Sequence, residues 1–146
     1  MSDTTPTAVD PATTRPFYRH IGLRSEPAPA PGTSIVHLAT QPDIANSHGD
    51  IHGGAIMSLL DAAMGIAART LLSEGQGVTT VSMSVNFVTA GGGDLVARGR
   101  VVRQGRSIAS TEAFAEDAKG RVVAHALGTM RIVDTRSGRS DAKAKA

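Results

Sequence analysis

The stretch GGAIMSLLDAAMGIAARTLLS, residues 53–73, decides the fold. It is apolar around almost its whole circumference and carries only two charges, Asp61 and Arg69, so it reads as one long central helix that other elements must cover. At about 1.5 Å per residue, 55–72 would measure about 27 Å, which approaches bilayer thickness. A membrane span fails on chemistry. Asp61 near its centre would cost about 2.5–3.5 kcal/mol, and Gly65, Arg69 and several small residues weaken it further. The helix belongs in the core of a folded domain.

Downstream of Gly75 and Gly77 the pattern changes to period two. Thr79, Val81, Met83, Val85 and Phe87 fall on one face of a strand, with Thr80, Ser82, Ser84 and Asn86 on the other. Gly91-Gly92-Gly93-Asp94 reads as a hairpin, followed by strands over 95–103, 107–116 and 122–132, with turns at Gln104-Gly105 and Asp117-Ala118-Lys119-Gly120. Upstream, Ile35, Val36 and Leu38 mark a first strand, while Phe17, Tyr18 and Ile21 fit a short amphipathic turn. All seven prolines lie at or before Pro42. The plan is α+β: an antiparallel β-sheet, with a four-strand meander after the helix, wrapped around one long central helix. It occupies 15–133, between disordered segments over 1–14 and 134–146. A small sheet has two open edges, and joining two sheets edge to edge would bring residues of two chains together.

The chain has 146 residues, enough for one domain that folds without a staple. It has no cysteine, which excludes disulfide scaffolds and thiolate metal sites. The net charge of +2 comes with no basic face interleaved with stacking aromatics, and a nucleic-acid partner is excluded. The first residues are acidic and carry no apolar stretch, so no secretory signal is read and a cytoplasmic location is expected.

The chemistry gathers at Asn46-Ser47-His48-Gly49-Asp50-Ile51-His52-Gly53-Gly54, which opens directly into the helix. Gly53 and Gly54 place bare peptide N–H groups at a helix N-terminus, where unpaired donors and the macrodipole favour a developing negative oxygen. Asn46 can add an amide donor, completing the parts of an oxyanion hole. The plainer alternative is a tightly packed helix start with Asn46 capping a turn. Asp61 sits about two turns on among Leu59, Leu60, Ala62, Ala63 and Met64, and Arg69 is too far along to be a local partner. A poised base or nucleophile accounts for it, against a structural pair with a distant arginine. His48 and His52 lack the further ligands and helical spacing of a zinc site; His52 fits better as a residue that fixes the turn or bonds near a ligand. With no cysteine, no G-x-S-x-G and no histidine facing Ser58, no nucleophilic triad assembles.

Asn46, the His52-Gly53-Gly54 helix entry, Asp61 on the helix and the strand Val81-Ser82-Met83-Ser84-Val85-Asn86-Phe87 together resemble hotdog-fold acyl-CoA thioesterases of the phenylacetate-degradation or 4-hydroxybenzoyl-CoA type. The resemblance covers roughly 35–132. It implies that Gly53 offers its N–H to the thioester carbonyl with help from Asn46. It also implies that Asp61 comes from the partner subunit as base or nucleophile, and that a strand hydroxyl, Thr80 or else Thr79, positions water. Arg103 and Arg106 would hold the CoA phosphates, unless they are an ordinary solvated hairpin. Gly54, Met57, Leu60, Met64 and Phe87 would line the acyl site. The implied assembly is a homodimer, paired into a tetramer, with acyl-CoA as substrate and no separate cofactor or metal. Two alternatives stand beside hydrolysis. A hotdog dehydratase or hydratase should carry a histidine five residues after the acid, where this chain has Ile66. A non-catalytic acyl-CoA-binding module would bind without releasing thiol.

Overall fold

The computed structural model describes residues 15–135. A short helix α1 (Pro16–Ile21) leads into β1 (Leu23–Ser25) and β2 (Thr33–Leu38). A 3-10 turn at Pro42–Ile44 precedes the long helix α2 (Gly53–Arg69), and then come β3 (Gln76–Phe87), β4 (Leu95–Gln104), β5 (Ile108–Glu116) and β6 (Val122–Asp134). The strands form one six-stranded antiparallel sheet in the order β1-β2-β4-β5-β6-β3. This is the α+β hotdog architecture, a curled sheet around one helix.

Small residues let the sheet close on α2. Ala97, Gly99, Ala113, Ala115, Ala124, Ala126 and Gly128 present an inner face with almost no side-chain volume. A Cβ at Gly99 would overlap the Ala63 carbonyl, and one at Gly128 would meet Met64 Sδ at 2.8 Å. Ser34 on β2 donates its hydroxyl to the Ala63 carbonyl at 2.6 Å, satisfying a polar atom at this closest approach. Leu59, Leu60 and Met64 are fully buried, each worth about 1.5–3 kcal/mol of transfer free energy.

Four expectations need correction. The strands after α2 do not form a simple meander: β3 pairs with β6 and forms the far edge. Consequently Gly91-Gly92-Gly93 is not a hairpin; its segment passes the ends of two strands. It is held by the Val88 and Thr89 N–H groups on the Val123 carbonyl and by Ile51 N–H on the Gly91 carbonyl. Helix α2 stops at Arg69 rather than continuing to 73, because Thr70 closes the last turn with its hydroxyl on the Ala67 carbonyl while accepting Gly32 N–H. Strand β6 reaches Asp134 rather than ending at 132, and Thr135 N–H donates to the Gly75 carbonyl.

The fourth correction is the face assignment of β3. A bulge between Thr80 and Ser82 reverses the alternation. Val81, placed on one face with Met83 and Val85, is 59% exposed, and Thr80 turns toward the helix instead. Beyond the bulge Met83 and Val85 pack on the core as the alternation required. The segments 1–14 and 136–146 lie outside the described residues.

Candidate active site

At the start of α2, His52 is the N-cap, with φ −59° and ψ 138°. Its ring turns back so that Nδ1 accepts the Gly54 N–H at 2.8 Å, and its carbonyl accepts from Ala55 and Ile56. One donor of the first turn is left over. Among the described residues, nothing accepts the Gly53 N–H, and Gly53 borders a cleft of about 260 Å³ shared with Asn46, Ile51, Ile56, Phe87 and Gly91. A Cβ on Gly53 would sit 3.4 Å from the Phe87 ring, so ring and bare backbone face each other across the opening.

Asn46 caps the turn before the helix. Its Oδ1 accepts the backbone N–H groups of His48 (2.9 Å) and Asp50 (3.1 Å), capping the turn. Its Nδ2 amide is used by no described residue, and Asn46 lines the cleft that Gly53 borders. An N–H at a helix N-terminus and a neutral amide on one cleft are the donors that a carbonyl gaining negative charge requires.

Asp61 lies two turns further on, half-buried between α2 and the edge strand β3. The Thr80 hydroxyl donates to Asp61 Oδ1 at 2.6 Å and lies 3.4 Å from Met130 Sδ. The bulge at Val81 makes this possible by turning Thr80 inward. Thr79, on the opposite face, makes no such contact. No cation pairs with Asp61 among the described residues, and Arg69 Nη1 is buried without a partner of its own. Burial pushes the Tyr18 phenol up, opposed by the Arg15 guanidinium 5.1 Å over its ring and reinforced by the negative charge of Asp61.

The remaining candidates scatter. Phe87 is 51% exposed on the cleft, whereas Met57 is 39% exposed on the outer side of α2. Leu60 and Met64 do not line a cleft in the single chain: both are fully buried, because their side of α2 packs on the glycine and alanine face of the sheet. Gly54 N–H is spent on His52, and the Ser58 hydroxyl on the Gly54 carbonyl at 2.9 Å, which leaves Ser58 no triad role. Arg103 and Arg106 are exposed beside the β4–β5 turn, where Gln104 Nε2 donates to the Leu71 carbonyl near the far end of α2. His48 is exposed, and no three metal-ligating side chains converge among the described residues. Asp50, on the same cleft as Gly53, was not singled out from sequence; a carboxylate three residues before a helix-entry glycine was the available signal.

Eight residues separate Gly53 from Asp61, about 12 Å along the helix axis at about 1.5 Å per residue. Reacting groups must approach to about 3–3.5 Å. The two groups are thus well separated along one helix.

Residues 48–124 match the family profile described as the thioesterase superfamily. An acyl-coenzyme A thioesterase 13 from Homo sapiens is 28% identical over 123 residues, covering 81% of this chain and 86% of that protein. A thioesterase family protein from Silicibacter pomeroyi superposes with a TM-score of 0.79 at 28% identity, covering 84% of this chain and 92% of that one. A Bacillus halodurans protein solved with CoA shares 30% identity at a TM-score of 0.66, covering 68% of this chain and 66% of the other.

Proposed function

This chain belongs to the thioesterase superfamily and is a thioester hydrolase, and we propose that it cleaves an acyl-CoA to a carboxylic acid and CoA in a site built from two copies of itself. The observation that carries this reading is the unclaimed Gly53 N–H on a cleft that also holds Asn46. The name of the human relative and the CoA bound by the Bacillus protein support acyl-CoA as the substrate. The ordered set Asn46, His52-Gly53-Gly54 and Asp61 supports the phenylacetate-degradation type.

The thioester carbonyl oxygen lies against Gly53 N–H and Asn46 Nδ2, and Asp61 of a second copy supplies the base or nucleophile. As base, it takes a proton from water while the water oxygen bonds to the carbonyl carbon. The tetrahedral oxyanion then collapses and expels the CoA thiolate, which is protonated on leaving. The reaction consumes only the thioester and water.

The single chain already carries the geometry that makes such pairing productive. Phe87 at one end of edge strand β3 faces Gly53, and Thr80 nearer the other end holds Asp61. An antiparallel β3 to β3 pairing about a two-fold axis near Met83 and Ser84 lays Thr80 of one copy opposite Phe87 of the other. Each Asp61 then approaches the Gly53 cleft of its partner. A further pairing of dimers into tetramers is compatible with this seam.

Asp61→Asn keeps the shape and removes the charge. Thiol release from a panel of short, aromatic and long acyl-CoAs should fall about 10²–10⁴-fold. Wild-type turnover by this variant refutes the assignment, and binding of acyl-CoA without thiol release by the unaltered protein identifies a binding module. Solvent oxygen-18 entering Asp61 over multiple turnovers marks a covalent anhydride hydrolysed at the aspartyl carbonyl.

A further inference from the structure

The cleft beside Gly53 is lined by apolar residues, among them Phe87, Ile56 and Ile51, and by one carboxylate, Asp50, together with Asn46 and Thr89. Asp50 is held from both sides through its backbone. Its N–H donates to Asn46 Oδ1 at 3.1 Å, its carbonyl accepts Asn46 N–H at 2.7 Å, and the next residue, Ile51, donates to the Gly91 carbonyl at 2.8 Å. Its side chain is directed across to the glycine loop, where Oδ1 lies 3.5 Å from the place a Cβ on Gly92 would occupy. Among the described residues no cation pairs with this carboxylate, and no hydrogen-bond donor reaches it. A carboxylate with no compensating charge, fixed beside a small apolar space, repels another negative group entering that space. The catalytic steps proposed above make no use of it.

We propose that Asp50 is a specificity residue that excludes acyl groups ending in a carboxylate, so that this enzyme acts on acyl-CoAs whose acyl end is uncharged. The inference rests on the acyl-CoA thioesterase reading of the same cleft. The volume, about 260 Å³, suits a short chain or a single ring, since an apolar cavity of about 150 Å³ suffices to bind benzene.

The test compares two five-carbon substrates that differ in the terminal group, pentanoyl-CoA and glutaryl-CoA. The unaltered protein should favour pentanoyl-CoA by about 100-fold in kcat/KM, and Asp50→Asn should shrink that ratio at least tenfold. Because the backbone of Asp50, not its side chain, makes the loop's hydrogen bonds, asparagine is compatible with the fold; Asp50→Ser is the second variant. An unchanged ratio in a folded variant overturns the proposal. Binding of the non-hydrolysable thioethers S-pentyl-CoA and S-(4-carboxybutyl)-CoA, measured by calorimetry, separates the two readings. An Asp50-dependent preference in binding without hydrolysis of any thioester keeps the selectivity and removes the acyl-CoA hydrolase. Hydrolysis of both substrates with no Asp50-dependent preference does the reverse.

Discussion

The first and third turns of α2 solve opposite problems with opposite materials. At Gly53 the useful group is the backbone itself. It is left bare because the residue has no side chain and because His52 claims the neighbouring Gly54 N–H. There the helix dipole favours a developing negative oxygen, an effect confined to the first turn. Asp61, two turns later, is beyond that help and needs a dedicated donor, which the Thr80 hydroxyl supplies at 2.6 Å. A backbone donor tolerates little change, whereas a side chain held by another side chain can be tuned. The contrast also separates the two halves in space, by about 12 Å along the helix axis at about 1.5 Å per residue.

The largest effect expected is on the side-chain half, where Asp61→Asn should lose about 10²–10⁴-fold in kcat. On the backbone half, Gly53→Pro deletes one N–H and adds a ring on the Phe87 side of the cleft, a steric change that Gly53→Ala shares in part. Proline is favoured at the first helical position, and His52 at ψ 138° already has the extended conformation a following proline requires. Its kcat should fall about 10²–10³-fold, while Gly53→Ala, which keeps the N–H, should fall much less. Mixing the two dead variants after unfolding and refolding sharpens the comparison. Random pairing gives heterodimers with one intact site, and activity should return to about a quarter of wild type if the halves come from different chains. No recovery would mean that each chain works alone.

A smaller effect is expected at the joint between α2 and the sheet edge. Thr80→Val removes the donor to Asp61 while preserving shape, and kcat should drop about tenfold, the scale of a hydrogen bond to a charged group. Thr79→Val, on the opposite face of the strand, serves as the matched control and should leave kcat within about twofold, because nothing at Asp61 depends on it. Equal losses in the two variants would show that strand stability, not the Asp61 contact, is being read.

Sequence reasoning reached different depths in these regions. Helix α2 and the inner face of β6 were legible because one-sided burial writes a strong period: Ala124, Ala126 and Met130 alternate as the pattern required. Strand β3 was legible as a strand and not as a pairing, since period two says nothing about which neighbour a strand chooses and a bulge at Val81 leaves no mark in composition. Thr80 was named from a family resemblance while its face was misjudged for that reason. The full burial of Leu60 and Met64 was not legible, because an apolar residue beside an acid looks the same in sequence whether it faces a cleft or the sheet. Strand β1, three residues long, was too short to leave a pattern. The link through Gly91 looked like a hairpin because glycine runs mark turns without marking how far the chain travels next.

That link supports the smallest effect. Asp94 at its end accepts the Thr40 N–H at 2.8 Å, tying the segment beside the Gly53 cleft to the end of β2. This backbone hydrogen bond holds the Asp94 carboxyl below the usual aspartate range. A pKa lowered by folding means that the stabilisation is fully present above the unfolded value, about 3.9, and is lost as pH falls through the lower folded value. Asp94→Asn should therefore melt slightly below wild type between about pH 5 and pH 7, and the gap in Tm should close as the acid limb is crossed below about pH 4. Thermal unfolding of both proteins across that range reads it directly. A gap that persists or widens in acid would show that the tie depends on the shape of the side chain rather than its charge. The link beside the Gly53 cleft would then be tied to the end of β2 by side-chain shape, while the Asp61 half of α2 keeps its tie through a hydroxyl donor.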